Sequence, residues 1–434
     1  SAQTFGSEAE LKEQAAKLFD DDQFEEAYPL YAQLASIYNK DPNINYRLGV
    51  CMLYASEDKE KPIPFLELAA RYPDVEKEVF FYLAKAFHLN YRFDDAIKQY
   101  QAYQKVASGA KAEKLQVAHQ IEMCKNGKKL LRNISDLIVI DKKEMTRADF
   151  YRSYDITAIG GKLLAKPDEE TFKTPIDKKK KETSIIYFSS DNNQIYFASY
   201  GADASNGKDI YLVRKLPNGE LSKPQTLGYP VNTEYDEDFP FLHPNGKVLY
   251  FCSKGHNSMG GYDIFKTTLN ELTNTWNKPV NLDFPVNSPD DDILYITNAD
   301  EKEAYFSSAR SSATGKTAVY HINVERKPLD VAIVSGTIVK SSPEQDMNVK
   351  ITVKDLDDNV ILGIFNSNSE TGDFTMNLPP GRKVMYTVES PGFPTQSEVI
   401  TIPTQTSPLK QEISFEPGTG KLNVKNKTDE SGGD

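Results

Sequence analysis

The sequence predicts a multidomain α + all-β fold, in which a helical section is followed by two sections built of strands. At 434 residues the chain is too long for one compact core. Residues 8–130 carry apolar side chains at helical spacing, whereas residues 133–328 and 329–416 show short alternating or apolar runs between turn signals. Residues 417–434 have no apolar periodicity and are predicted to be a linker or a disordered tail.

The helical section repeats with a period of about 34 residues. Three spacings show the period, and they join Ala27 to Ala96, Tyr31 to Tyr100, and Leu48-Gly49 to Leu83-Ala84. A small residue where two helices approach, within this period, resembles the tetratricopeptide repeat (TPR). The resemblance implies a TPR-like helical solenoid over residues 8–130. Two departures are the missing tryptophan of the repeat and the prolines Pro62 and Pro64 in one helix.

The first β-section also contains an internal repeat. Aspartates recur at Asp155, Asp209 and Asp263, tyrosines at Tyr196, Tyr250 and Tyr305, and Lys-Pro pairs at residues 166, 223, 278 and 327. Within one unit, DFPFLHPNGKVLYFCS predicts a hairpin across the Asn245-Gly246 turn, and GGYDIFKTTL predicts the next strand. A unit of about 50 residues with four short strands has the size of a propeller blade.

The pattern of hairpin, YFxS, xDIY/F and KPxxL resembles the WD40-like (PD40) β-propeller repeats of the TolB-related group. The resemblance implies a propeller over residues 133–328 with four legible repeats, and between four and six blades remain open. The segment PDEETFKTPIDKKKKETS, which contains the run Lys178 to Lys181, is predicted to be a solvated loop inserted in this section.

The third section alternates apolar and polar residues over about seven short segments, which predicts a small β-sandwich. The segments SGTI, VKITVKD, TGDFTMNLPPG and YTVESPGF resemble carboxypeptidase-regulatory-like domains. That resemblance implies a module over residues 329–416 that accompanies a peptidase elsewhere and is not itself an enzyme.

The residues offer little chemistry. The three cysteines are scattered, and none of the five histidines lies in an HExxH pattern or near a cysteine pair. Ser258 lies between glycines, but its spacing does not match a GxSxG elbow. The acid clusters EYDEDF and SPDDDIL lie at equivalent places in two repeats, which favours turn chemistry over a calcium site. We therefore predict no enzyme, no catalytic residues, no cofactor and no metal.

The helical repeats offer the more concrete candidate surface. In the resembling repeat class, the first helix of each pair lines a concave groove that can receive a partner's peptide or helix. Alignment on Gly49 and Ala84 places six residues on that wall: Tyr46, Val50, Leu53, Phe81, Lys85 and His88. The alternative is that several of these side chains only pack against neighbouring helices.

The net charge and the hydropathy of the sequence argue against a nucleic-acid partner and against a membrane-spanning helix. The net charge of −12 argues against a nucleic-acid partner, which would require a basic face. No apolar run approaches the roughly 20 residues of a membrane-spanning helix. No signal peptide is visible, so whether one was removed stays open.

The order of the three sections resembles one architecture, that of periplasmic, outer-membrane-associated proteins of Bacteroidota, and in particular the PorE-type components of the type IX secretion system. The resemblance implies a non-catalytic scaffold that links secretion or gliding machinery to the envelope. Such proteins commonly continue into an OmpA-like domain, so peptidoglycan is expected as a partner only if such a domain follows. The alternative is an enzyme or glycan-binding protein with a site at the propeller axis, and a third option is a calcium-dependent adhesin.

Overall fold

A computed structural model describes residues 7–131, 137–324, 332–404, 409–415 and 421–427. The chain divides into two compact units. The first comprises Ser1–Leu130 and Leu137–Glu325, and the second comprises Leu131–Asp136 and Arg326–Asp434. The fold is therefore mixed, with a helical part and several sheets, and the helices share one unit with the sheets that follow them.

Within residues 7–131, eight helices open the first unit in chain order. They are α1 (Glu8–Asp20), α2 (Phe24–Ile37), α3 (Pro42–Ala55), α4 (Ile63–Ala70), α5 (Val79–Leu89), α6 (Phe93–Val106), α7 (Gly109–Lys114) and α8 (Val117–Leu130). Consecutive helices from α1 to α6 pack against each other, and α6 also packs against α8. Every one of these helices except α7 buries apolar side chains, so the stack supplies the core that a single pair could not.

Caps and prolines fix where these helices begin. The Asp41 side chain accepts a hydrogen bond from Ile44 N at 2.9 Å and so caps α3. Pro62 and Pro64 lie at the start of α4, where a missing backbone N–H leaves no hydrogen bond unmade. These prolines therefore begin a helix that the sequence suggested they would interrupt.

Two glycines let helices approach closely. A Cβ on Gly49 would lie 2.6 Å from Leu66 Cγ, and one on Gly127 would lie 2.4 Å from Phe93 Cζ. Gly49 is the small residue that the repeat alignment places at a helix crossing, and its contact across α3 and α4 shows why a side chain is excluded there.

Fourteen strands follow in the first unit. They are β1 (Ile138–Thr146), β2 (Lys162–Ala165), β3 (Ile185–Phe188), β4 (Gln194–Ser199), β5 (Asp209–Arg214), β6 (Gln225–Thr226), β7 (Glu237–Leu242), β8 (Val248–Ser253), β9 (Asp263–Asn270), β10 (Thr275–Trp276), β11 (Val280–Asn281), β12 (Asp292–Thr297), β13 (Glu303–Ser308) and β14 (Lys316–Asn323). They form antiparallel sheets in the orders β2-β3, β4-β5-β6, β7-β8-β9-β10 with β11 also on β9, and β12-β13-β14-β1.

The predicted hairpin is confirmed. Strands β7 and β8 pair antiparallel, with Phe241 opposite Tyr250, and Gly246 takes the positive φ of +71° that the turn requires. Strand β8 then pairs with β9, with Phe251 opposite Phe265, so GGYDIF leads into the third strand as expected.

The strand pairing recorded for the described residues does not amount to a closed propeller. Strand β1, the first after the helices, pairs with β14, the last of this section. The first repeat is degenerate, because Asp155 is exposed and follows a 3-10 turn at Phe150–Ser153 without entering a strand, whereas Asp209 and Asp263 begin β5 and β9.

One segment predicted as a loop contains a short helix, α9 (Pro175–Lys179). Thr174 Oγ1 accepts from Asp177 N at 3.2 Å, and the Asp177 carboxylate accepts from Thr174 N at 2.9 Å. This reciprocal capping box stabilises the helical turn, and it was hidden by the run of lysines that follows.

Among its described residues, the second unit has eight strands: β15 (Ala332–Val339), β16 (Lys350–Asp355), β17 (Ile361–Asn366), β18 (Asp373–Leu378), β19 (Lys383–Glu389), β20 (Gln396–Thr401), β21 (Leu409–Phe415) and β22 (Leu422–Lys427). They form two four-stranded sheets, β18-β15-β21-β22 and β17-β16-β19-β20. Both sheets contribute to one core, in which Val334, Val353 and Tyr386 are fully buried. This shared core is the arrangement that period-2 alternation favours.

The predicted linker or tail, residues 417–434, requires a correction. Residues 422–427 form β22, which pairs antiparallel with β21 and places Val424 opposite Ile413. Only Leu422 and Val424 of this strand are apolar, so the segment has too little alternation to be recognised alone. Its pairing to β21 supplies what the local sequence lacks. The rest of that range lies outside the described residues.

Candidate functional site

Carboxylates that the repeats share are held by donors of their own chain. Glu237, at the start of β7, accepts from Thr233 N and Oγ1 at 2.8 and 2.6 Å and from Ser253 Oγ at 2.6 Å. Two others are held similarly, namely Asp177 by Ser199 and Thr174, and Asp292 by Ser288 and Arg310. The serines at 199 and 253 close the repeated YFxS pattern, so these bonds tie loops to strands. The turn chemistry predicted for the acid clusters is confirmed.

The aspartate of the repeated xDIY/F pattern is also structural. Asp263 is fully buried, and its Oδ2 accepts from Met259 N at 3.0 Å and from Asn281 Nδ2 at 2.8 Å. Burial raises the pKa of Asp263 well above its ordinary range. The equivalent Asp209 has its pKa raised to about 6, again by burial. Neither lies beside a nucleophile or base in the described contacts.

Five charged side chains form a second group, which we call the charge cluster: Lys166, Asp177, Glu182, Lys208 and Asp238. None of the five is more than 11% exposed at its side chain. Lys166 Nζ pairs with Glu182 and lies 3.6 Å from Asp177 Oδ2. Lys208 Nζ pairs with Asp238 and lies 3.6 Å from Glu182 Oε1. Three carboxylates therefore share two lysines.

The electrostatics of the charge cluster follow from its burial. Burial, and then the neighbouring Asp238, raise the pKa of Glu182 above its ordinary value. Burial alone would lower the pKa of Lys208, but Asp238 and Glu182 raise it. The Tyr262 ring lies beside the cluster, with its centroid 5.9 Å from Lys208 Nζ. A carboxyl of raised pKa can exchange protons, although each carboxylate here already faces a lysine.

The described part of the chain contains no group of three or more histidine, cysteine, aspartate or glutamate side chains placed to hold a metal ion. The three cysteines, Cys51, Cys124 and Cys252, are free and buried. Burial raises the pKa of the Cys51 thiol to about 12, so this group is an unreactive thiol at neutral pH.

The structure places the six predicted wall residues in the interior of the first unit. Five are buried, and they are Tyr46, Val50, Leu53, Phe81 and His88. Lys85 is half-buried and donates to Tyr54 Oη at 3.1 Å. This burial favours the alternative in which these side chains pack inside the chain, and their role in binding a partner stays a prediction.

A loop of the same chain contacts one wall residue, His88, and two side chains of α8. His88 Nε2, on α5, lies 2.7 Å from Met259 O. On α8, His119 Nε2 lies 2.7 Å from Lys254 O, and Asn126 Nδ2 donates to Ser258 O at 3.1 Å. We call these three side chains, with the loop of residues 254–259 between β8 and β9, the joint. Because a carbonyl oxygen only accepts, each histidine carries its proton on Nε2.

Sequence reasoning found one member of the joint, His88, but missed His119 and Asn126. Both lie in KAEKLQVAHQIEMCKNGKKLL, where they look like polar residues on a terminal helix. Ser258 was considered for catalysis because of its glycine neighbours. Its hydroxyl donates to Lys254 O at 2.9 Å, and its carbonyl oxygen accepts the hydrogen bond from α8, so both groups have structural partners. The available signal was the helical pattern that puts His119 and Asn126 two turns apart on one face.

The joint should respond to pH through His88. Burial lowers the pKa of His88 to about 4, whereas the unfolded chain titrates near 6.5. Between pH 6.5 and 4 the unfolded chain binds the proton first, so stability is lost as the pH falls. We expect His88→Gln to remove part of this loss, up to about 2 kcal/mol between pH 7 and pH 5. The measurement is the free energy of unfolding by urea at pH 7 and pH 5 for both proteins.

Comparing the unmodified chain with His88→Gln separates the effect of His88 from the effects of the other side chains that titrate. Burial also lowers the pKa of His119 and His256, whereas burial raises the pKa of Glu237 to about 7, which favours the folded state as pH falls. These groups are common to both proteins and cancel. Equal pH dependence in the two would contradict the assignment.

No described helix is long and apolar enough to span a bilayer.

No family model matches the chain, and no curated protein matches it. Similar solved structures include a candidate cell adhesion protein from Bacteroides ovatus, 11% identical, which covers 58% of this chain and 91% of its own with a TM-score of 0.17. Another from Bacteroides fragilis is 10% identical, covers 56% and 85%, and has the same TM-score. A structure described as "Trapped Toxin" is 9% identical and covers 72% of each chain with a TM-score of 0.14. Such TM-scores show no shared fold.

Proposed function

We propose that this chain is a non-catalytic scaffold whose helices and first β-section act as one rigid platform for other proteins. The observation that supports the proposal most directly is the joint. His88 and Asn126 are buried there and each bonds a loop carbonyl, so separating the helices from the loop would leave buried polar groups without partners. A platform that holds its parts in fixed positions suits the assembly of other proteins better than the catalysis of a reaction.

The finer architecture is part of the same proposal. The helices of the first unit would be a TPR-like solenoid, which agrees with their sequential packing. The sheets would be blades of a WD40-like propeller of which β1 and β14 close the last blade, since the first and last strands of the section pair there. The second unit would be a carboxypeptidase-regulatory-like β-sandwich.

The place of action is proposed from the resemblance of the three sections in order. The chain would lie in the periplasm, associated with the outer membrane, as part of type IX secretion or gliding machinery. Peptidoglycan would be a partner only if an OmpA-like domain follows these residues.

Cross-linking and affinity purification from the native envelope tests this function. We expect the tagged chain to recover secretion or motility components, and to fractionate with the outer membrane. The control is an unrelated periplasmic protein with the same tag, which should recover none of them. Recovery of only soluble enzymes or glycans would overturn the scaffold proposal.

A second candidate is an enzyme or glycan-binding protein that uses the charge cluster. The observation in its favour is that the carboxylates of Glu182 and Asp238 both face Lys208, whose Nζ lies 5.9 Å from the centroid of the Tyr262 ring, since a pair of carboxylates is what glycoside hydrolysis uses. Titration calorimetry with envelope oligosaccharides tests it. Binding that Glu182→Gln weakens would favour this candidate, and no heat of binding to the unmodified chain would remove it.

A further inference from the structure

Two neighbouring sheets end in corners that share a sequence pattern. The first corner, residues 226–232, contains Tyr229-Pro230-Val231-Asn232 and follows β6. The second corner, residues 281–287, contains Phe284-Pro285-Val286-Asn287 and begins in β11. Both corners pass through the left-handed region at equivalent positions, with φ of +59° at Gly228 and +61° at Asp283.

The corners also match in their hydrogen bonds. Asn232 Oδ1 accepts from Ile210 N at 2.9 Å, as Asn287 Oδ1 does from Ile264 N at 2.7 Å. Each asparagine also donates to the carbonyl of the same isoleucine, at 3.1 and 2.9 Å. The same pair of asparagine hydrogen bonds therefore holds the backbone of both corners, and each corner carries an aromatic residue at the equivalent position.

The second corner has a partner within the chain. Phe284 is only 1% exposed. The Tyr91 ring, at the tight turn between α5 and α6, meets it edge-on with centroids 6.0 Å apart. Arg310 Nη1 donates to Pro285 O at 2.6 Å and so completes the contact. A helix–turn–helix with an aromatic residue at its turn is thus what covers this type of corner.

The first corner has the same build, but its ring is bare: Tyr229 is 88% exposed. We propose that the first corner is a docking site for a helix–turn–helix of another protein, which presents an aromatic residue at its turn as Tyr91 does to Phe284. The proposal extends the scaffold function and rests on it. Aromatic residues held rigidly at a surface are the side chains that most often carry binding energy at interfaces.

The internal repeat favours a helix–turn–helix of another protein over two other partners. A second copy of the chain is disfavoured, because its matching turn at Tyr91 is already engaged by its own Phe284. A β-strand partner is disfavoured because β6, the edge strand at this corner, has only two residues and so offers few backbone groups for pairing.

Photo-cross-linking tests the docking site in cells that make the protein. A photoreactive phenylalanine analogue replaces Tyr229 in the full chain, and in a control it replaces Leu272, which is 97% exposed at the turn between β9 and β10. We expect one adduct at position 229, none at 272, and a cross-linked peptide from a helix–turn–helix with an aromatic residue at the turn. No adduct, an adduct to a second copy, or one to a strand would each overturn the proposal.

A pair of variants separates this proposal from the scaffold function. We expect Tyr229→Ser to reduce recovery of the cross-linked protein at least about tenfold, and Tyr229→Phe to retain it. The melting temperature should not change in either, because the ring is exposed. Equal recovery of envelope proteins by the unmodified chain and Tyr229→Ser would overturn the docking site alone. Recovery of none by the unmodified chain would overturn the scaffold as well.

Discussion

Lys166→Met is expected to lower the free energy of unfolding by about 3–5 kcal/mol. Methionine keeps most of the volume but removes the charge. Asp177 would then remain buried without a cation, and Glu182 would keep only Lys208, which already pairs with Asp238. The lysine side chain is 0% exposed, so water cannot replace it. The loss of one partner costs more than the pair contributes, because the remaining charge has no solvent. Urea denaturation measures the change.

A matched lysine gives the control for this prediction. Lys173 pairs with Asp168 at 2.7 Å, but Asp168 is 85% exposed. Such an exposed pair contributes about 0–1 kcal/mol, so Lys173→Met should change the free energy of unfolding within that range. Adding Glu182→Gln to Lys166→Met should recover part of the loss. If the two lysine variants were equally stable, the charge cluster would not be a buried ion network.

Gly260→Ala is expected to lower the free energy of unfolding by about 1–3 kcal/mol. Gly260 opens GGYDIF, and a Cβ there would lie 2.2 Å from both the carbonyl carbon and the carbonyl oxygen of Pro289. Both are backbone atoms that cannot rotate away, so the loop would have to move. The loop also carries Met259, whose carbonyl belongs to the joint, so helical contacts would be disturbed too.

Gly109→Ala is the matched control for the glycine variant. Gly109 is the first residue of α7, and nothing lies within 4 Å of its added Cβ. Alanine there should leave stability unchanged or raise it by up to about 1 kcal/mol, since it restricts the unfolded chain. A similar loss in both variants would show that the contact with Pro289 does not limit residue 260.

Local patterns predicted the elements of this fold well because they record local physics. Asn245-Gly246 requires a tight turn, and the repeated aspartates mark the start of β5 and β9. The recurring Asn232 and Asn287 were visible as part of a repeat, but their role as clamps on an isoleucine backbone was not, because the isoleucines lie 22 and 23 residues earlier in the chain.

Long-range packing is where sequence reasoning about the site reached its limit. The wall residues, His88 among them, were correctly placed on helices, yet what covers His88 lies 171 residues further on. No helical periodicity reports a distant loop. In the same way, the lysine at 166 looked like one member of a Lys-Pro series, although its side chain is buried among carboxylates.

The loop and the helix side chains of the joint differ in how much sequence change they tolerate. All three helix side chains reach main-chain oxygens, and every residue type supplies such an oxygen. Lys254 can therefore vary without altering what His119 meets, while His119 and Asn126 have few substitutes with a donor at the right reach. The loop is therefore free to vary at Lys254 but not at Gly255, where an added Cβ would lie 2.3 Å from Thr233 Oγ1.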